Sequence, residues 1–275
     1  MKKLTLLKLA AAAAACLPGA AAGADVAAVV SSQAGPYAEA IEGFRQTLDG
    51  PFDYYDAARQ APDDIRYVAL FGARAAAGDY TPNTQVIYAL APLGGRKRDN
   101  WHEISMMPAP GPAMAAYKKL QPGLRRLAVF WASYPGEEYM DLLERAGEKN
   151  GVEIVPARIK GPDSFPDRLR RLLGRMDAFW VMPDPLLINE SSIMVLTSFS
   201  CANAVPFYAP THALVLNGAS ASFAPDFREA GTAAARALNM LRGGTELPAV
   251  IYPRKAELKV NAALAGKCRW PFSLD

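Results

Sequence analysis

Short apolar runs alternate with stretches of helical periodicity along most of the chain. Runs typical of buried strands cover residues 25–32, 52–57, 65–72, 84–92, 125–133, 152–159, 177–182, 205–210 and 212–220. Trp101 to Met107 is a weaker strand, and a last extended piece covers residues 249–260. Helical spacing is found after Gly35-Pro36 and after Asp226. It is also found over residues 114–120 and 191–202 and around Leu143 and Leu169.

This alternation occurs in two similar halves, separated by a proline-rich stretch at Pro108, Pro110 and Pro112. The pattern predicts an α/β protein with two Rossmann-like, doubly wound parallel-sheet lobes. Ligands of such sheets bind at the carboxyl ends of the strands, so a cleft between the lobes is the expected binding site.

The first residues have the pattern of a cleavable leader. Lys2 and Lys3 precede a short, mainly apolar segment, and Ala22-Gly23-Ala24 fits a signal-peptidase site. The segment is too short for a membrane span, which needs about 20 apolar residues. Cys16 follows only alanines, which disfavours lipidation. We therefore expect residues 1–24 to be a signal peptide and the mature protein to lie in the periplasm.

Charge and cysteine content narrow the choice of partners. Lys and Arg total 30 against 27 Asp and Glu, but Lys2, Lys3 and Lys8 lie in the leader, so the remaining chain carries 27 charges of each sign. A neutral chain without a basic block does not predict binding to nucleic acid.

Two cysteines remain after the leader, Cys201 and Cys268. They form either a disulfide or two separate small apolar side chains.

Motifs for catalysis are missing from the sequence. His102 and His212 are the only histidines and have no neighbouring ligands at metal spacing. GxSxG, HExxH and Walker patterns are absent, and Gly218 to Ser222 lacks the second glycine of a nucleophile turn. The segment Gly94 to Arg98 lacks phosphate-loop spacing and is interpreted as a solvated loop. We expect no enzyme activity, cofactor or metal.

Polar and aromatic residues instead follow the predicted strands, where they could hold a small ligand. The candidate ligand-binding residues are Ser31, Ser32, Tyr37, Ser133, Tyr134, Asp184, Asn189 and Tyr208. Each also has a structural explanation, such as a strand end, a helix cap for Asn189 or a turn residue for Asp184. If they bind ligand, Asp184→Ala or Asn189→Ala should weaken binding and leave the melting temperature of the free protein nearly unchanged.

Several segments together carry a family resemblance. They are VVSSQAGPYAEAIEGFRQTL, RRLAVFWAS, DAFWVMPDPLLINESS, AVPFYAPTHALVLNGASASFAPDFREAGTAAARALNMLRGG and LKVNAALA. In this order they resemble the periplasmic substrate-binding components of ABC transporters, within the group described as ABC-type uncharacterised transport systems. The resemblance implies a type I periplasmic-binding-protein fold with a hinge-bounded cleft. It also implies a first lobe of residues 25–112 plus 218–245 and a second of 113–217 plus 246–275.

The resemblance implies a function as well. We expect a monomeric, exported solute-binding protein that captures a small, amino-acid-like organic solute for an ABC importer, with the permease as its membrane partner. The alternative is a periplasmic sensory or accessory binding module that signals to a membrane protein.

Overall fold

The structure is a computed structural model that describes residues 24–59, 61–62, 64–92 and 98–274. Residues 1–23 of the predicted leader and residues 94–97 of the predicted loop lie outside the described residues.

Twelve described strands form two six-stranded sheets. The first sheet contains β1 (Val26–Val30), β2 (Asp53–Asp56), β3 (Tyr67–Phe71), β4 (Gln85–Ala89), β5 (Trp101–Ile104) and β11 (Val250–Ile251). The second contains β6 (Arg126–Trp131), β7 (Glu153–Arg158), β8 (Ala178–Val181), β9 (Phe207–Tyr208), β10 (Ala221–Ala224) and β12 (Glu257–Val260).

The two sheets have corresponding strand orders. Their orders are β11-β5-β4-β3-β1-β2 and β12-β10-β9-β8-β6-β7, and the paired strands run parallel except for β10 with β12. In both sheets the order in which strands are added reverses beside the first strand. The reversal lies between β1 and β3 in the first sheet and between β6 and β8 in the second. Such switch points leave a crevice at the carboxyl ends of the strands.

Nine helices cover the sheets in the described part of the chain. They are α1 (Pro36–Thr47), α2 (Ala73–Ala76), α3 (Pro110–Leu120), α4 (Glu137–Lys149), α5 (Phe165–Leu172), α6 (Glu190–Asn203), α7 (His212–Leu216), α8 (Phe227–Arg242) and α9 (Ala262–Ala265). Strands β1, β3 and β8 are buried along their whole length, as expected of parallel strands covered on both faces.

The chain crosses between the lobes three times, and the crossings differ from the predicted lobe bounds. They lie at residues 105–109, 225–226 and 252–256. Strand β10 pairs in the second sheet although residues 218–245 were assigned to the first lobe, and β11 pairs with β5 in the first sheet although it was assigned to the second. Strand pairing decides these memberships, and the sequence of a two-residue strand such as β11 does not reveal its partner.

Two local predictions were wrong. Residues 212–220 were predicted as a strand, but His212–Leu216 form α7, because a short apolar run does not distinguish a strand from a buried helix. Helix α3 begins at Pro110, earlier than predicted, since proline fits the first helical turn. The last extended piece is divided into β11 and β12, one in each sheet.

Of the two predicted alternatives for Cys201 and Cys268, the structure contains the disulfide. Cys201 on α6 is bonded to Cys268 beyond α9, with a Cα–Cα distance of 4.5 Å. Cys268 packs with Ala265 and Trp270 in a small cluster of its own. The bond fixes the C-terminal tail to the second lobe.

Helices α1 and α8 pack so closely that two glycines at their contact have no room for a side chain. A Cβ on Gly231 would overlap the carbonyl oxygen of Ala40, and one on Gly43 would overlap the carbonyl oxygen of Arg228. Helix α8 therefore returns to the first lobe, where it buries Ala234 and Leu238 with the side chains of α1.

Gly231→Ala should lower the free energy of unfolding by about 3 kcal/mol or more, because the overlap is with backbone that does not move aside. Gly266→Ala is the control: Gly266 has helical φ and ψ of −68° and −40°, with open space around it. It should change stability by no more than about 1 kcal/mol. Urea unfolding measures both variants, and equal midpoints would contradict the close packing.

Candidate functional site

A cavity of about 220 Å³ lies where loops from the two lobes meet. Pro92 follows β4 in the first lobe, and Met106 lies on the first crossing. The second lobe contributes Pro183, Asp184, Pro185 and Ile188 after β8, and Pro210, Thr211 and Leu214 after β9. We call this cavity the interlobe pocket. It lies at the carboxyl ends of strands from both lobes, where doubly wound sheets bind ligands.

Asp184 is a structural residue of the pocket wall. Its side chain is fully buried, and Oδ2 accepts hydrogen bonds from the backbone N–H groups of Ala132 (3.2 Å), Ser133 (2.6 Å) and Tyr134 (2.9 Å). Oδ1 accepts another from Leu186 N–H at 2.9 Å. The carboxylate thus ties the loop after β8 to the loop after β6, across the switch point of the second sheet.

Tyr134 connects this loop to the first lobe. Its hydroxyl donates to Glu103 Oε1 at 2.8 Å and accepts from Met106 N–H at 3.2 Å. Glu103 Oε2 also accepts from the Tyr88 hydroxyl at 3.2 Å. Burial raises the pKa of Glu103, although both tyrosine hydrogen bonds act in the opposite direction. Burial, and next the Glu103 charge, raise the pKa of Tyr134 well above its ordinary value, so its hydroxyl keeps its proton.

The first lobe brings Ser31 and Tyr37 together at its own switch point. Gly72 has a φ of +97°, and a Cβ there would lie 2.5 Å from both Ser31 Oγ and Tyr37 Cε1. Ser31 is buried, and its Oγ accepts a hydrogen bond from Ala75 N–H of α2 at 3.1 Å. Ser32 and Tyr37 are half-buried. Ser31 thus has a structural role in the loop, whereas Ser32 and Tyr37 are partly exposed to solvent.

Two predicted residues have structural roles away from the pocket. Asn189 caps α6: its Oδ1 accepts from Ser192 N–H at 2.8 Å, and Ser192 Oγ accepts from Asn189 N–H at 2.9 Å. Tyr208 is fully buried, stacked on Tyr117 with ring centroids 4.0 Å apart, and donates to Gln121 Oε1 at 2.6 Å. The cap explanation fits Asn189, and Tyr208 belongs to the core of the second lobe.

The pocket also contains residues that the sequence did not single out. Met106, Ile188 and Leu214 supply its apolar walls, and Thr211 also lines it. The apolar residues resemble core residues in sequence, and only the position of Thr211 just after a short strand could have pointed to the pocket. Ser133 was singled out, and it is exposed at the end of β6.

Within the described residues, His, Cys, Asp and Glu form no cluster of three or more that could hold a metal ion. His102 and His212 lie on different lobes, bonded to the Pro248 carbonyl and the Ser222 hydroxyl. No described helix has the length and apolar content needed to cross a bilayer.

Comparison with known families agrees with this architecture. Residues 113–260 match the family model described as "ABC transporter substrate binding protein", which is more than half of the chain. The chain belongs to this family. The predicted family and the predicted two-lobe fold class are therefore confirmed. No curated protein matches the sequence of this chain.

Solved structures similar to this substrate-binding protein share its fold along most of its length. A ligand-free, open substrate-binding protein with adhesive properties from Clostridium difficile is 17% identical with a TM-score of 0.65, covering 89% of this chain and 94% of its own. An ABC domain from Streptococcus pneumonia, in complex with L-Trp, is 16% identical with a TM-score of 0.62, covering 91% and 96%. A periplasmic ribose ABC transporter from Conexibacter woesei is 14% identical with a TM-score of 0.54, covering 90% and 96%.

The hydrogen bonds of Asp184 reverse the expectation that Asp184→Ala leaves the free protein stable. The substitution leaves four backbone N–H groups without their acceptor, so the free energy of unfolding should fall by about 3 kcal/mol or more. Asp226→Ala is the comparison, since Asp226 caps α8 through one N–H group and should cost about 1 kcal/mol. Chemical denaturation of the ligand-free variants measures both, and an Asp184 loss no larger than the Asp226 loss would refute the structural role.

Proposed function

We propose that this protein captures a small organic solute in the interlobe pocket and delivers it to the permease of an ABC importer. The observation that supports this most is the composition of the pocket, which takes Pro92 and Met106 from one side and Ile188 and Leu214 from the other. A ligand there contacts strand-end loops of both lobes. Membership of the substrate-binding family supplies the transport context.

Lobe movement is the proposed basis of delivery. The lobes are joined by three crossings and by the hydrogen bond between Tyr134 and Glu103. A solute that contacts both lobes stabilises the arrangement in which they are close, because only that arrangement makes all the contacts. The permease would then distinguish the loaded protein from the empty one by its shape.

Residues at strand ends outside the pocket extend the proposed contacts. Ser133 is exposed, and Ser32 and Tyr37 are half-buried, all near the carboxyl ends of strands. We propose these three as contacts for the part of a solute that projects from the pocket. An amino-acid-like solute is one class to test, which agrees with the L-Trp held by the Streptococcus pneumonia structure.

We also propose that the protein works in the periplasm as a monomer. The leader pattern of residues 1–24 supports export. The disulfide between Cys201 and Cys268 supports an oxidising compartment, since such bonds are rare in reducing ones.

A thermal-shift screen with amino acids, organic acids and sugars tests the proposal. A true solute should raise the melting temperature in a saturable manner, since ligand at about 100 times Kd adds about 2.7 kcal/mol of stability. Ile188→Asp, which places a charge in the pocket, should weaken binding at least about tenfold. Leu216→Asp is the control, because Leu216 is 91% exposed and outside the pocket.

Circular dichroism of the ligand-free variants confirms that each is folded. Absence of any saturable solute, or equal binding by wild type and Ile188→Asp, would count against binding in this pocket.

A further inference from the structure

The walls of the interlobe pocket are almost entirely apolar. Met106, Ile188 and Leu214 face the space together with Pro92 and Pro185. None of these side chains can pair with a charged group. The chemistry of the wall therefore favours an apolar part of a ligand over a charged part.

The carboxylates of Asp184, which lines the pocket, and of Glu103, which bonds Tyr134, both accept hydrogen bonds from protein donors. Asp184 accepts four backbone N–H groups through its two oxygens. Glu103 accepts hydroxyl groups from Tyr134 and Tyr88, one on each oxygen. A charged group placed against the apolar wall would exchange part of its hydration for side chains that cannot pair with it, which is unfavourable.

Thr211 is the polar side chain that remains. It occupies the N-cap position of α7 with extended φ and ψ of −139° and 154°, yet its side chain makes no capping hydrogen bond. Thr211 lines the pocket, and a threonine hydroxyl can donate or accept a hydrogen bond. This provides one polar contact within an apolar wall.

We propose that the interlobe pocket selects an uncharged, cyclic, apolar group that carries one polar atom, and that the Thr211 hydroxyl bonds this atom. The inference rests on the proposed function and names the class of solute. The volume of about 220 Å³ suits a single substituted ring, since an apolar cavity of about 150 Å³ is enough to bind benzene. Free charges on a solute add nothing to its affinity for this pocket.

Four probes separate the contributions of the ring, the hydroxyl and the charges. p-Cresol and toluene differ by one hydroxyl, and L-tyrosine and L-phenylalanine add an amino acid backbone to each of them. Calorimetric titration of the full protein should show p-cresol binding at least as tightly as L-tyrosine. It should also bind roughly 3- to 10-fold more tightly than toluene, the range expected for one neutral hydrogen bond.

Thr211→Val keeps the shape of the side chain and removes the hydroxyl. In this variant the difference between p-cresol and toluene should disappear, while toluene binds as it does to wild type. Thr197→Val is the matched control, because Thr197 lies on α6 and bonds the Ile193 carbonyl outside the pocket. Its preference for p-cresol should equal that of wild type.

The possible results separate this inference from the proposed function. L-Tyrosine binding more than tenfold tighter than p-cresol would overturn the neutral-ligand inference and leave solute capture intact. An unchanged preference in Thr211→Val would overturn the role of the hydroxyl. No binding by these probes would overturn the inference, and no binding by the wider solute panel as well would contradict the proposed function too.

Discussion

The buried carboxylate of Asp184 is the interaction on which the binding region depends. It holds three successive N–H groups of the loop after β6 and one N–H of its own loop. These bonds position Tyr134, which reaches Glu103 in the other lobe, and they fix the backbone between Pro183 and Pro185 that lines the interlobe pocket. A buried charge is stable only when it is fully hydrogen-bonded, so the two loops and the carboxylate require one another.

Periodicity and composition were sufficient to predict the two doubly wound lobes, because buried parallel strands form apolar runs that helices separate. Short elements were less predictable: β11 has two residues, and its place in the first sheet follows from pairing with β5. Asp184 was correctly located at a strand end, but three of its four hydrogen-bond donors lie 50 to 52 positions away in sequence, and they decide its role. The burial of Tyr208 against Tyr117 and the place of Leu214 in the pocket wall depend on long-range packing, because an aromatic ring can be core and an aliphatic side chain can line a pocket.

The two lobes contribute unequally to the site. The loops after β8 and β9 supply most of the pocket wall, and the first lobe supplies Pro92 together with the adjoining crossing at Met106. If a solute binds there as proposed, a wall supplied mostly by one lobe supports an order in which the solute binds to the second lobe first. The hydrogen bond from Tyr134 to Glu103 joins the lobes beside that wall.

Whether solute binds between the lobes can be decided by a crystal structure of the protein with its tightest-binding solute. We expect ligand density in contact with Met106, Ile188 and Leu214, with its polar atom within hydrogen-bond distance of Thr211 Oγ1. A second apolar groove lies on the first lobe beside Ala237 and Met240 of α8. Density in that groove, with an empty interlobe pocket, would contradict the account.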